Sequence, residues 1–574
     1  MSIRPTLHLN TGIRGIYLAK TALCLKNSTM NTQKPAAAAA PAPPVADISD
    51  LRAQREHKRA LYIERGGENY PNSFKPTVST AELAAKYADA EIHTQAALHD
   101  NPTGTYAIAG RLMLFRSFGK LIFARIQDAS GQMQITVSMD FSGPVVFNLF
   151  NDVTDIGDIL GVTGIMSRTN KGELSLHVQS FVLLSKGLQP LPDKYHGMAD
   201  VEQRYRQRYL DLITSEETRA TFIARSRAIT AIRSFLNNDG YLEVETPILQ
   251  HQAGGASARP FGTHHNALDI DLNLRIAPEL FLKRLLVGGF ERVYELSRNF
   301  RNEGISIKHN PEFTMLEFYR AYATREDMME TMEHMLRHTV KTVLNGATAI
   351  PYADETIDFA PDFKRHTMRE AILEYTSITE ADMVSLDKLH KAAAEQGIVL
   401  KEQDGKSINN FNSDNSPNMN SGLSYGELFQ LCFEELVEPQ LIQPTYIMDH
   451  PYETSPLTRL YPDAEQPEWA RKIPGLKLTQ RAELYIAGRE HGEFYSELND
   501  PADQRARFMA QIEKANKGSD EAMPFDHDFL NALETGMPPA GGVGLGIDRL
   551  AMLLANQPSI RDVILFPLLR PKAE

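Results

Sequence analysis

FRNEGISIKHNPEFTMLEF, residues 300–318, sets Arg301, Glu303, Lys308, His309, Glu312 and Glu317 among phenylalanines, Met315 and Leu316. Strand alternation sorts its second half. In FTMLEFY, Phe313, Met315, Glu317 and Tyr319 share one face, and Thr314, Leu316 and Phe318 the other. Leu316 and Phe318 can then meet a core while Glu317 and Tyr319 meet a site. Upstream, Glu295, Ser297, Asn299 and Arg301 share one face of a preceding strand. The residues between, NEGISIKHNP, hold Gly304, Asn310 and Pro311, as a turn between antiparallel strands should. The stretch therefore predicts a strand–loop–strand hairpin with one polar face. Solvated or mutually paired charges are the plainer reading of such a run, and the interleaved apolar residues weigh against it.

Working outward, residues 188–574 mix strand-like runs with helical periodicity. The strand-like runs include YLEVETPIL, ended by Pro247, then DLNLRI, RVYEL, PTYIMD and RAELYIAG. Helical spacing joins Phe222, Ile229, Ile232 and Leu236, between a capping box at Thr214 and Glu217 and a stop at Gly240. Such mixing predicts an α+β domain on a largely antiparallel sheet. Residues 403–422, QDGKSINNFNSDNSPNMNSG, read as a flexible surface insertion in it.

Ahead of this domain, residues 76–187 read as a separate one. Five strand-like runs cover about 104–184, with VVFNLFNDV helix-like between the third and fourth. That is the order of an OB-fold β-barrel, a common reader of single-stranded nucleic acid. Residues 1–75 read as a flexible extension, a Pro/Ala linker at 34–46 and a charged helix, DLRAQREHKRALYIERGG.

Composition narrows the class. The 574 residues are 42% hydrophobic and 23% charged, the balance of a globular protein. A net charge of −13 argues against a wholly electrostatic nucleic-acid binder but leaves room for a local basic groove. Cys24 and Cys432 are the only cysteines, too few for a disulfide framework or a cysteine-rich zinc site. No run approaches the roughly 20 apolar residues of a membrane helix. Residues 1–29 carry Arg4, Arg14, Lys20 and Lys26 and no acid, like a transit peptide. They lack an amphipathic period, so we read Met30 as the start and the chain as cytoplasmic.

Two further clusters carry chemistry. In RAELYIAGREHGEFYSELND, residues 481–500, Glu483 and Glu490 could meet across a bend at Gly488, and Glu493, Tyr495 and Glu497 share a face. Crowded carboxylates need cations. A divalent metal such as Mg²⁺ or a cationic substrate would serve, and a solvated acidic edge strand is the equal alternative. In GGVGLGIDRLAMLLAN, residues 541–556, a Gly-rich strand enters a helix with Arg549 in its first turn. Backbone amides and an arginine there suit phosphate. Neither GxGxxG nor GxxxxGK[ST] occurs, which excludes the common dinucleotide and P-loop folds.

From about residue 50 onward the chain resembles the class II aminoacyl-tRNA synthetases, and within them the lysyl-tRNA synthetases. Three signatures follow in order: GYLEVETP, then FRNEG with HNPEFTMLE, then GLGIDRL. GGASARPF, LRIAPELFLKRLLVGGFERVYE and FYSELND look specifically lysyl-type. The resemblance implies ATP-dependent activation of L-lysine to lysyl-adenylate and its transfer to lysine tRNA by a homodimer.

It also implies roles. Arg301 should contact the ATP α-phosphate and the amino-acid carboxylate, Glu303 the adenine amino group, His309 the distal phosphates and Arg549 the γ-phosphate. Phe313 should stack on adenine, and Glu483 and Glu490 should hold Mg²⁺. Gly255, Glu279 (for the α-amino group), Glu317, Tyr319 and Glu497 should line the lysine pocket, with Glu497 the expected partner of the ε-ammonium. In the barrel, Phe123 and Gln134 should meet the central anticodon base, with Arg116 and Glu173 nearby; a plain core role is the other reading of Phe123. Glu493 departs from the family, which usually has Asn there; it should border the lysine or its metal. The rivals are an aspartyl- or asparaginyl-type synthetase and a non-catalytic OB-fold RNA binder.

Overall fold

A computed structural model describes residues 48–90, 92, 103–192, 198, 200–398, 423–516 and 522–571. The Pro/Ala linker, Cys24 and the 403–422 insertion lie outside the described residues. The chain divides into two units, Met1–Asp193 and Lys194–Glu574.

In the first unit, Thr105–Phe118, Leu121–Gln127, Gln132–Ser138, Ile159–Arg168 and Leu174–Ser185 close into a barrel. The order around it is first, second, third, fifth, fourth, and the third and fifth strands run parallel. Period-two alternation fills the interior. Ile122, Ala124 and Ile126 point inward from one strand, and Met133, Ile135 and Val137 from the next. Helix Gly143–Val153 sits between the third and fourth strands and buries Phe147, Phe150 and Val153 in the same core. This is the OB-fold predicted from sequence. The charged helix Ile48–Glu64 packs with it. Lys58 Nζ lies 2.6 Å from Asp155, and the buried Tyr62 hydroxyl accepts from the Leu183 amide at 3.2 Å.

The second unit is built on an eight-stranded sheet. Its order is Lys364–Thr367, Thr445–Met448, Arg481–Ile486, Arg489–Ser496, Ala540–Gly546, Glu312–Ala321, Arg292–Phe300 and Leu242–Glu243. The five inner pairings are antiparallel and the outermost at each edge is parallel. Helices Glu216–Asn238 and Arg325–Val343 cover one face. Met328, Met332, Met335 and Leu336 lie at helical spacing and pack with Leu316, Phe318, Phe494 and Leu545. A Thr324–Asp327 capping box starts the second helix. Burying one face in this way leaves the opposite faces of the same strands for chemistry.

Two local expectations change. The cap of the first helix is Ser215, which accepts from the Thr218 amide. Thr214 instead ends the short helix Arg208–Thr214, donating its hydroxyl to the Leu210 carbonyl at 2.9 Å. YLEVETPIL is not one strand: Leu242–Glu243 joins the main sheet, and Leu249–Gln250 joins a three-stranded sheet with Gly262–His265 and Ile270–Leu274. Pro247 between them has no N–H to continue a ladder. Among the described residues, no helix is long and apolar enough to cross a membrane.

Candidate active site

Strands Arg292–Phe300 and Glu312–Ala321 form the predicted hairpin. Asn299 pairs with Phe313, Ser297 with Met315 and Glu295 with Glu317. Its second strand lies beside Ala540–Gly546, which lies beside Arg489–Ser496. One transverse row therefore crosses five strands: Glu295, Glu317, Gly544, Glu493 and Glu483. Neighbouring strands are about 4.8 Å apart, so four acids in one row repel unless compensated.

The compensation is uneven. Glu295 meets buried Arg275 at 2.6 Å. Arg481 pairs with Glu483 and approaches Glu493 at 3.3 Å. Glu317 receives a hydroxyl instead, from Tyr319 at 3.0 Å. Burial, reinforced by Glu279, pushes the Glu317 carboxyl well up. Burial likewise pushes Glu493 up to about 7, with Arg481 opposing. Glu317 is thus an acid still in want of a cation.

A cleft opens over this row. Arg301, Glu303, His309, Phe313, Glu490 and Arg549 line one part of it. The Arg301 guanidinium lies 5.2 Å from the Phe313 ring centroid, and its Nε is buried without a hydrogen-bond partner. His309 Nδ1 is 3.0 Å from Ser306 Oγ, and burial, then Arg549, pushes the imidazole's pKa down. Asp548 accepts from the Thr314 amide at 2.7 Å and pairs with Arg225 at 2.5 Å. The first of these contacts locks the helix that carries Arg549, Ile547–Leu554, onto the strand that carries Phe313, and the second ties it to helix Glu216–Asn238. Arg549 in turn donates to the Glu490 carbonyl at 2.6 Å and sits 3.4 Å from its carboxylate.

Gly255, Glu279, Glu317, Tyr319 and Glu493 line the rest of the cleft. Gly255 has φ +89°, and a Cβ there would come 3.0 Å from Glu279 Cβ. Glu279 opens the helix Glu279–Val287, and buried Lys283, one turn on, lies 2.6 Å from its carboxylate. The same ammonium lies 2.5 Å from Glu497 Oε2. Glu497 lies behind the cleft wall, fully buried, and neither of its oxygens has a partner in hydrogen-bonding geometry. Gly542 makes room for it, since a Cβ there would fall 1.9 Å from Oε1.

Glu483 also stands behind the wall, held by Arg481 and the Tyr485 hydroxyl. A bulge in the hairpin puts Glu490 opposite Tyr485 and leaves Glu493 opposite Glu483. The two expected metal ligands are therefore not cross-strand partners, although Glu490 is close enough to raise the Glu483 carboxyl behind the larger effects of burial and Arg481. Among the described residues, no group of three or more His, Cys, Asp or Glu is arranged to hold a metal by itself. Mg²⁺ held mainly by phosphate oxygens and water needs only one or two carboxylates. Half-buried Glu490 facing the cleft, with Glu483 behind it, fits that requirement.

On the barrel, Phe123 points outward between the inward-facing Ile122 and Ala124, which removes the plain core reading. Arg116 pairs with it across the ladder, and exposed Phe118 meets its ring edge-on at 6.2 Å. With its amide oriented to satisfy its neighbours, Gln134 donates to Glu173 at 3.0 Å and accepts from Ser175 at 2.6 Å. Arg125 pairs with Glu173 at 2.8 Å. Sequence reasoning missed Arg125, although parity puts it on the face of Phe123. It also missed Arg481, and Lys283, whose i, i+4 spacing from Glu279 was the available signal.

An antiparallel sheet that presents Arg301 from a hairpin loop and Arg549 from the helix after its Gly-rich strand, beside a row of acids, is the arrangement of a class II synthetase. The family model described as tRNA synthetases class II (D, K and N) matches residues 200–570, and that of the OB-fold nucleic acid binding domain matches residues 106–184. The chain is 49% identical to a lysine–tRNA ligase of Variovorax paradoxus, over 93% of this chain and 97% of that one. It is 48% identical to a lysine–tRNA ligase of Pelotomaculum thermopropionicum and 47% to one of Oceanobacillus iheyensis, each over 92% of this chain and covering 96% and 99% of theirs. The chain belongs to the lysine–tRNA ligase family of class II synthetases.

Proposed function

We infer that this protein activates L-lysine with ATP and transfers the lysyl group to the 3′ end of lysine tRNA. The observation that carries the reading is the division of one cleft. Arg301, Phe313 and Arg549 form a part suited to a nucleotide, and Glu279, Glu317 and Tyr319 form a part suited to amines.

In the first step the lysine carboxylate attacks the ATP α-phosphorus in line, and pyrophosphate leaves. Arg301 orients that carboxylate and the α-phosphate with donors fixed in a fork, and its unpartnered Nε supports this role. Arg549 and His309 meet the distal phosphates, Glu303 the adenine amino group, and Phe313 the adenine face. Glu490 and Glu483 would hold Mg²⁺, which when bound neutralises phosphate charge. Glu279 takes the α-ammonium, with Gly255 beside it. Glu317, Tyr319 and Oε1 of Glu497 take the ε-ammonium, since a buried ammonium needs carboxylate partners. Glu493 borders the amino acid. In the second step the terminal ribose hydroxyl attacks the lysyl carbonyl and AMP leaves. No protein nucleophile is used; the cleft contributes orientation and charge.

Phe123 and Gln134 receive the central anticodon base, with Arg116 and Glu173 around it. The enzyme works as a homodimer in the cytoplasm. An aspartate-specific pocket would require cations where this cleft presents Glu279 and Glu317. Pyrophosphate exchange measured with each of the twenty amino acids tests the reading: lysine alone should support it, and exchange with aspartate but not lysine overturns it.

A further inference from the structure

At the amino-acid end of the cleft, the protein's own cation is Lys283. Its side chain has no solvent exposure, and its ammonium makes two short contacts, 2.6 Å to Glu279 and 2.5 Å to Glu497. The two acids come from different elements. Glu279 shares a helix with Lys283, while Glu497 follows the strand Arg489–Ser496 and donates its amide to the Ala540 carbonyl at 2.8 Å. Burial opposes the charge on Lys283, but Glu279 and Glu497 together more than offset it, so the ammonium is held protonated.

The arrangement has a charge count and a geometry. Glu279, Glu317 and Glu497 bring three carboxyls and Lys283 one ammonium. Burial pushes Glu317 well up and Glu497 up to about 8, so the full two negative charges develop only as further cations bind. Free lysine brings two ammonium groups, and its carboxylate is left to Arg301. Each carboxylate on Lys283 keeps a second oxygen away from the ammonium; that of Glu497, Oε1, has neither an ion-pair nor a hydrogen-bond partner.

We propose that Lys283 is the positioning residue that sets the length of the amino-acid pocket: its one ammonium clamps together the two carboxylates that receive the substrate's α- and ε-ammonium groups. This rests on the roles given above to Glu279 and Glu497. A buried ammonium hydrogen-bonded to one carboxylate and ion-paired with the other cannot wander, so the carboxylates cannot drift apart or together to suit a shorter or longer diamine. One methylene too many or too few in a fixed apolar pocket is discriminated by about ten- to two-hundredfold, and fixed carboxylates put a diamine of the wrong length under the same kind of mismatch. Lys283 touches neither substrate nor ATP; it acts through the two glutamates.

The test is lysine- and ornithine-dependent pyrophosphate exchange by the full chain, comparing wild type with K283M, E497Q and K283M/E497Q. In K283M the KM for lysine should rise at least about tenfold, while kcat and the KM for ATP stay within about threefold. The preference for lysine over ornithine should fall by about tenfold. A purely structural lysine would lower kcat and stability and leave that preference unchanged. If K283M does not fold, the other pair still decides. In E497Q the ammonium faces Glu279 alone and cancels its charge, and removing Lys283 as well restores that charge, so the double variant should bind lysine more tightly than E497Q. An unchanged lysine KM and preference in K283M, or a double variant no better than E497Q, overturns the proposal. Failure of the wild type to use lysine overturns the functional reading instead, and shows before any variant is made.

Discussion

Glu317 and Glu493 stand in one transverse row of the sheet with only Gly544 between them. Arg481 serves Glu493, whereas Glu317 has the Tyr319 hydroxyl. Glu317→Gln should therefore raise the KM for lysine about ten- to hundredfold, since a hydrogen bond to a charged group is lost from a buried site. Tyr319→Phe should have a smaller effect in the same direction. Steady-state pyrophosphate exchange with lysine varied checks both.

Glu493 predicts a pH dependence of stability. Its carboxyl is raised to about 7, chiefly by burial, from an unfolded value near about 4.3. Ionising it thus opposes folding: the stability linked to its proton is full below about pH 4.3 and is lost as pH rises through about 7. Glu493→Gln removes that loss. Melting temperatures taken in EDTA from pH 4.5 to 7.5 should show the variant gaining on the wild type as pH rises, and a constant offset would contradict this.

The unpartnered Nε of Arg301 and its station over Phe313 predict separable effects. Arg301→Ala should lower lysine-dependent exchange by at least about a thousandfold, the scale of losing preorganised charge at a reacting phosphate. Arg301→Lys should not restore it, because an ammonium lacks the planar fork. Phe313→Ala should raise the KM for ATP about tenfold, as expected for a lost stacking face. Retained activity in Arg301→Ala would refute the role assigned to the hairpin.

Magnesium dependence should follow Glu490 more than Glu483, because Glu490 faces the cleft and Glu483 is held by Arg481. EDTA should abolish exchange. Glu490→Gln should raise the Mg²⁺ concentration for half-maximal rate about tenfold or more. A Mg²⁺ titration at saturating ATP and lysine measures it.

The barrel should matter only when tRNA is present. Phe123→Ala should raise the KM for lysine tRNA about tenfold, the loss of one base-stacking surface. Exchange without tRNA should be unchanged. A defect in exchange would mean that outward-facing Phe123 supports the fold instead.

Much of this was legible along the chain because it depends on local periodicity. The alternation in FTMLEFY separated Leu316 and Phe318 from Glu317 and Tyr319, and the structure buries the first pair against the covering helices. Five runs with one helix in the right gap announced the barrel. Short-range signals failed where a neighbouring element competed: Thr214 was spent ending one helix, so Ser215 caps the next.

By itself, then, the sequence determined most of the strands (YLEVETPIL, split at Pro247 between two sheets, being an exception), the inward and outward faces of the hairpin, the order of the three signatures and the family they belong to, since each is written in local spacings. Tertiary structure alone decided which acids have cations. Arg275 meets Glu295 from twenty positions away, and Lys283 meets Glu497 across more than two hundred. The bulge that moves Glu490 off Glu483 is equally invisible in either strand alone. The reason is physical: alternation is a property of one backbone, whereas charge compensation depends on which side chains different strands and helices bring within about 3 Å.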